Sequence, residues 1–151
     1  MFNDNPGLHR KYLYAQKVVE GVRGDSEIPR IIAEEYIISN NLDNGIIGDM
    51  GVGEGEFGEN LKSKIIRFDR EKPEEWKEEP FVIGDIRTTG FPDNYFNCLV
   101  YSYSLQCNYL SYKKYLIEGC RILKPGGFLI LVEPKQKQNR EKWIELLKDS
   151  G

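Results

Sequence analysis

The sequence predicts an α/β fold, a mostly parallel sheet with helices on both faces, and three observations carry that prediction. Short apolar runs recur along the chain: "GIIGDM" (45–50), "KIIRFD" (64–69), "FVIGD" (81–85), "NCLVYSYS" (97–104) and "FLILVEP" (128–134). Helix-periodic or polar segments separate them, which is how strands buried on both faces read when crossovers connect them. The first run is followed by Gly51, Gly53, Gly55 and Gly58, a cluster expected where a chain turns sharply or lets another group approach its backbone.

Each element follows from its residues. Residues 8–20 and 27–40 read as helices. The second opens at "DSEIPR" with a polar cap before Pro29, and Ile28, Ile31, Ile32, Ile37 and Ile38 give it a broad apolar face. After the glycines, "EFGENLK" (56–62) reads as a short helix. "REKPEEWKEEP" (70–80) reads as a solvated loop or short helical turn, its acidity a matter of surface. "YLSYKKYLIEGCRIL" (109–123) is an amphipathic helix, "KPGG" (124–127) a turn, and "NREKWIELLKDSG" (139–151) a helix with Trp143, Leu146 and Leu147 on one face. The 151 residues suit one domain: an N-terminal helical segment over 1–44 and a Rossmann-like core over 45–151.

Composition narrows the function. With 40% hydrophobic and 30% charged residues, and no apolar run near the ~18 residues of a membrane span, the chain reads as a globular domain without a membrane partner. "MFNDNPGLHRKY" has no apolar core of the kind a signal peptide carries. Cys98, Cys107 and Cys120 form an odd set without CxxC spacing, so reduced thiols in an intracellular protein are expected and no metal site. A net charge of −3 argues against a domain that grips nucleic acid chiefly by its phosphates. Basic residues nevertheless gather at 8–12, 112–115 and 135–142.

Ligands of open parallel sheets sit at the carboxyl ends of the strands. Here those ends carry Asp49 with the glycine loop, Asp69, Asp85 with Ile86, and Ser102 with Tyr103. Carboxylates facing a glycine loop repel phosphate, and Glu54 and Glu56 would crowd a pyrophosphate; the set suits a cationic or hydroxyl-rich nucleoside instead. Asp69 stands where a carboxylate accepts from ribose hydroxyls. Asp85 is one strand further along, placed to accept from an adenine amine while Ile86 packs on the ring and offers its N–H.

Taken together, "GDMGVGEGEFG", the acidic end of "KIIRFD", "GDI" (84–86) and "RILKPGGFLIL" (121–131) resemble the class I S-adenosylmethionine-dependent methyltransferases. The resemblance implies a strand order 3-2-1-4-5. It implies that Asp49 and the backbone at Gly51 and Gly53 hold the methionyl part of the cofactor, Asp69 the ribose, Asp85 and Ile86 the adenine, and that Ser102 lines the methionine side.

Within that superfamily "FNDNPGLH", "IPRIIAEEYI", "DMGVGEGEFGENL" through "RFD", and "VYSYSLQ" resemble the ribosomal RNA-processing protein 8 (nucleomethylin) family. Membership would imply methylation of N1 of an adenine in large-subunit ribosomal RNA, a place in the nucleus or nucleolus of a eukaryote, and His9 as a further cofactor ligand. Adenine N1 has an in-plane lone pair and no proton, so no general base is implied and no catalytic residue is assigned. Departures from the family are Glu54 for aspartate, Ile86 for methionine, Ser102 for cysteine, and Asn97 for the aspartate that opens the fourth strand.

The two final strands usual in this fold are missing after "LLKDSG", which predicts a fragment, or a partner chain on the edge of strand five. Two other functions remain open on the residues: a methyltransferase for a small molecule or protein, and a non-catalytic cofactor-binding module. A basic rim of His9, Arg10, Lys11, Lys113 and Lys114, with Tyr103 stacking on a base, would favour RNA; an enclosed pocket without such a rim would favour the others.

Overall fold

The computed structural model describes residues 27–52, 57–74, 76–77, 80–102, 109–132 and 145. Its elements are α1 (Glu27–Ser39), β1 (Ile46–Met50), β2 (Lys64–Asp69), β3 (Phe81–Ile83), β4 (Phe96–Ser102), α2 (Tyr109–Ile122) and β5 (Leu123–Val132). The five strands form one sheet in the order β3-β2-β1-β4-β5, every pairing parallel, as the sequence predicted.

Strand alternation divides the core in two. Ile47, Cys98, Val100 and Ile130 point to one face and pack with Ala33 and Ile37 of α1. Met50, Ile66, Phe68, Leu99, Tyr101 and Leu129 point to the other and pack with Tyr115, Leu116 and Ile122 of α2. Asp49, Arg67, Asp69 and Ser102, by the same alternation, belong to the α1 face.

The apolar face of α1 is narrower than the run of isoleucines predicted. Ala33 and Ile37 are fully buried, but Ile31 and Ile38 are 54% and 47% exposed, because Arg30 takes the third place on the buried stripe. The helix ends in a Schellman turn: Asn41 adopts φ 56°, Leu42 N–H donates to the Ile37 carbonyl (2.9 Å) and Asn41 N–H to that of Ile38 (3.1 Å).

Other local expectations are corrected. Residues 57–62 form a turn rather than a helix, with Leu61 N–H bonded to the Gly58 carbonyl at 3.0 Å. Carboxylates hold this segment from outside: Glu34 of α1 accepts from Gly58 N–H (2.8 Å) and Asn60 N–H (3.2 Å), and Asp43 from Lys62 N–H (2.7 Å) and Ser63 N–H (2.8 Å). "KPGG" is a bulge inside β5 rather than a turn before it. The β4 register jumps between Phe96, opposite Leu123, and Cys98, opposite Phe128, and Gly126 takes φ 77° there.

Asn97 has a task that its loss of charge does not abolish. Its Oδ1 accepts from Ile46 N–H at 3.0 Å and from Lys124 Nζ at 3.3 Å, tying the start of β1 to β4 and β5. The helices at 8–20 and 139–151 fall outside the described residues, apart from Glu145, which is helical.

Candidate functional site

Parallel pairing brings the carboxyl ends of all the strands to one edge of the sheet. Asp69 pairs with Ile83, Met50 with Phe68, Asp49 with Val100, and Ser102 with Val132. Asp49, Gly51, Asp69, Asp85, Ile86 and Ser102 therefore share that edge. His9, Gly53 and Tyr103 lie outside the described residues.

Gly51 turns the chain away from β1 with φ 79°, a conformation that penalises a side chain, and its N–H donates to the Phe68 carbonyl at 2.7 Å. Asp49 lies immediately before this turn, 2% exposed, and accepts from Arg67 Nη1 at 3.1 Å. Burial pushes its carboxyl up to about 6, against the opposing pull of the Arg67 and Arg30 charges. Its charge is thus directed into the protein, toward β2.

Asp69 accepts from Arg70 N–H at 2.6 Å, and its carbonyl from Gly84 N–H at 2.9 Å, so the ends of β2 and β3 are locked in step. Asp85 and Thr88 bracket a turn in which both Asp85 oxygens accept from Arg87 Nε at 2.9 Å, and Arg87 Nη2 closes a two-pronged pair. That pair holds the Asp85 carboxyl down at about 2. Ile86 packs with its partly buried neighbours against the α2-side core.

Ser102 ends β4 with its hydroxyl buried and without a hydrogen-bond partner. A buried hydroxyl left unpaired costs about 1–3 kcal/mol.

Sequence reading missed two residues here, Arg30 and Arg67, which are 6% and 7% exposed. Arg67 donates to Asp49 and, through Nη2, to the Phe57 carbonyl at 2.8 Å, with its guanidinium 5.1 Å from the Trp76 ring centroid. Arg30 donates to the Val52 carbonyl. The signal was present for Arg67: a charge inside "KIIRFD", a strand expected to be buried on both faces, requires a buried counter-ion.

A family model described as "Methyltransferase domain" matches residues 48–131, from β1 to the end of β5 and more than half of the chain. The chain belongs to the methyltransferase-domain family. This methyltransferase domain is similar to the ubiquinone/menaquinone biosynthesis C-methyltransferase UbiE of Francisella tularensis subsp. novicida, 49% identical over 53 residues, which are 35% of this chain and 21% of that protein. It is also similar to ribosomal RNA-processing protein 8 of Arabidopsis thaliana, 26% identical over 112 residues, or 74% of this chain and 36% of that one. The chain thus spans less than two thirds of the length of either relative. Among solved structures, a SAM-dependent methyltransferase from Archaeoglobus fulgidus shares the fold with a TM-score of 0.63 at 16% identity, over 85% of this chain and 70% of that one.

The cofactor of the methyltransferase domain is S-adenosylmethionine. The residues present fit it. Gly51, with φ 79°, would leave the backbone open to a cofactor, Asp69 at the end of β2 would be placed for its ribose, and the Ser102 hydroxyl lacks a partner that a polar ligand would supply. Asp85 fits the adenine amine once its carboxylate is shared with, or released by, Arg87.

Proposed function

We propose that the chain catalyses methyl transfer from S-adenosylmethionine to a small organic acceptor. The observation that carries the cofactor half is the unpartnered, buried Ser102 hydroxyl at the sheet edge that also holds Asp69 and the Gly51 turn. The acceptor half is supported by the stretch 49% identical to the UbiE C-methyltransferase and by the net charge of −3, which disfavours a polyanion.

When bound, the sulfonium supplies an electrophilic methyl group, and the demands left to the protein are alignment and exclusion of water. Asp69 would orient the ribose by accepting from its hydroxyls. Ser102 would contact the methionine side, and Asp85 with the Ile86 N–H would fix the adenine. Asp49, two residues before the Gly51 turn, is buried and paired with Arg67. Transfer to a carbon acceptor would form the new C–CH3 bond, leave the cofactor as its thioether and release the proton of the replaced C–H bond to solvent; none of these side chains is assigned as its carrier.

A second reading, methylation of adenine N1 in ribosomal RNA, is favoured by the ribosomal RNA-processing relative, whose match extends over 74% of this chain. Exposed Lys113 and Lys114, in the second turn of the helix that follows β4, would serve such a substrate. On this reading the protein acts on RNA and, in a eukaryote, in the nucleus or nucleolus.

Calorimetric titration with S-adenosylmethionine and S-adenosylhomocysteine, beside an Asp69→Ala variant, tests the cofactor half. Micromolar binding that the variant loses is expected; absence of binding by the folded chain would overturn it. Transfer of a labelled methyl group to a demethylated quinol and to a large-subunit ribosomal RNA transcript then separates the acceptors. Labelled RNA, with activity falling steeply as salt rises, would decide for the second reading.

A further inference from the structure

The Asp85 carboxylate, at the carboxyl edge of the sheet, is already engaged within its own turn. Its Oδ1 accepts from Arg87 N–H at 2.8 Å and from Arg87 Nε at 2.9 Å, and its Oδ2 from the same Nε at 2.9 Å and from Nη2. A carboxylate has about four acceptor positions, and one residue two places along the chain fills them. We infer that Arg87 is a specificity-determining residue of the nucleoside subsite: its guanidinium competes with the 6-amine of adenine for Asp85, and this competition sets how strongly the amine is recognised. The inference rests on the S-adenosylmethionine reading of the site.

The backbone around the pair is fastened on both sides. Gly84 N–H donates to the Asp69 carbonyl and Thr88 N–H to the Asp85 carbonyl, each at 2.9 Å, while Thr89 N–H and Oγ1 donate to the buried Glu118 of α2 at 2.8 and 2.7 Å. Opening the pair therefore takes rotation of the Arg87 side chain and no movement of the turn. That side chain is 41% exposed and that of Asp85 32%, and an ion pair reached by solvent yields to a ligand that brings its own donor. Arg70, which follows β2, also acts on the Asp85 charge, so the carboxylate keeps a cationic neighbour when Arg87 swings away. A freed carboxylate accepts from an amine and repels the lone pairs of a 6-oxo group, whereas a guanidinium attracts that oxygen. The closed pair therefore blunts discrimination between the two purine edges, and the open one sharpens it.

The test measures, by calorimetry, the affinities of S-adenosylhomocysteine and of its 6-oxo analogue S-inosylhomocysteine for wild type, Arg87→Met and Arg87→Lys. Removal of the fork in Arg87→Met is expected to tighten S-adenosylhomocysteine binding about three- to fivefold, the strength of an exposed ion pair, and to leave the 6-oxo analogue unchanged or weaker. Arg87→Lys, charged but without the planar fork, should show a smaller gain of the same sign, and it carries the comparison where the methionine variant fails to fold. Adding Asp85→Asn to Arg87→Met should abolish the gain.

Unchanged or weaker S-adenosylhomocysteine binding by the folded variants would overturn the inference, since Arg87 would then orient Asp85 rather than compete for it. An equal gain for both compounds, or a gain that survives Asp85→Asn, would also overturn it, assigning the effect to packing of the new side chain. Failure of wild type to bind either compound would refute the cofactor reading itself, a result distinct from all of these.

Discussion

At the scale of single residues, the charges that matter are the buried ones, and they titrate in separable windows. Asp49 has its pKa raised from 3.8 to about 6, so the folded state holds its proton more tightly than the unfolded state does. Its contribution to stability is therefore most favourable below pH 4 and declines as pH rises to about 6. The penalty above that is roughly 3 kcal/mol at about 1.4 kcal/mol per pKa unit. Thermal melts of wild type and Asp49→Asn between pH 4 and 7 should diverge in that interval and run parallel above it. Glu118 behaves oppositely. It accepts from Thr89 N–H and Oγ1 and from Arg121 Nε and Nη2, at 2.7 to 2.9 Å, and its pKa falls to about 2. Its stabilisation is present above pH 4.5 and lost as pH falls toward 2. Glu118→Gln should lower urea stability near neutral pH by about 1–3 kcal/mol, since it leaves Arg121 and Thr89 donors with a poorer acceptor.

At the scale of elements, the glycines differ in what they would cost if changed. Gly126 has φ 77° but open space where a Cβ would go, so Gly126→Ala should cost only the backbone strain, about 1–2 kcal/mol. Gly45 has φ 121° and a Cβ site 2.2 Å from Asn97 Oδ1, so Gly45→Ala must also displace the amide that caps β1. A loss of about 2–4 kcal/mol is expected there, read by denaturant midpoints, adding a broken hydrogen bond to the strain. Elements defined by apolar period were legible in the sequence: all five strands and α1 and α2 lie within a few residues of their predicted places. The turn at 57–62, the width of α1's buried stripe and the β5 bulge were not, because each is decided by partners distant in sequence. Glu34 reaches Gly58 and Arg30 reaches Val52, and no local pattern encodes either contact. The same limit applies to the site. Residues at strand ends could be read directly, whereas Arg67's tie to Asp49 needed the β1–β2 register, which pairs those two residues.

At the scale of the whole molecule, the family match spans β1 to β5. The cofactor should therefore stabilise the domain as a unit. At a hundredfold excess over its Kd, S-adenosylhomocysteine contributes about 2.7 kcal/mol. That should raise the melting temperature by roughly 5–10 °C for a domain of this size. A shift of that size in wild type and a much smaller one in Asp69→Ala is the expected result in differential scanning calorimetry.

The seam between β1 and β4 has a kinetic consequence. The Asp49–Arg67 tie spans 18 residues, but the Ile46–Asn97 bond that starts the seam spans 51. Loop closure makes the second union slower, so refolding should pass through two locally formed halves, β1–β2–β3 and β4–α2–β5, that join last along β1 and β4. Asn97→Ala would then retard refolding in a stopped-flow chevron, more than it hastens unfolding.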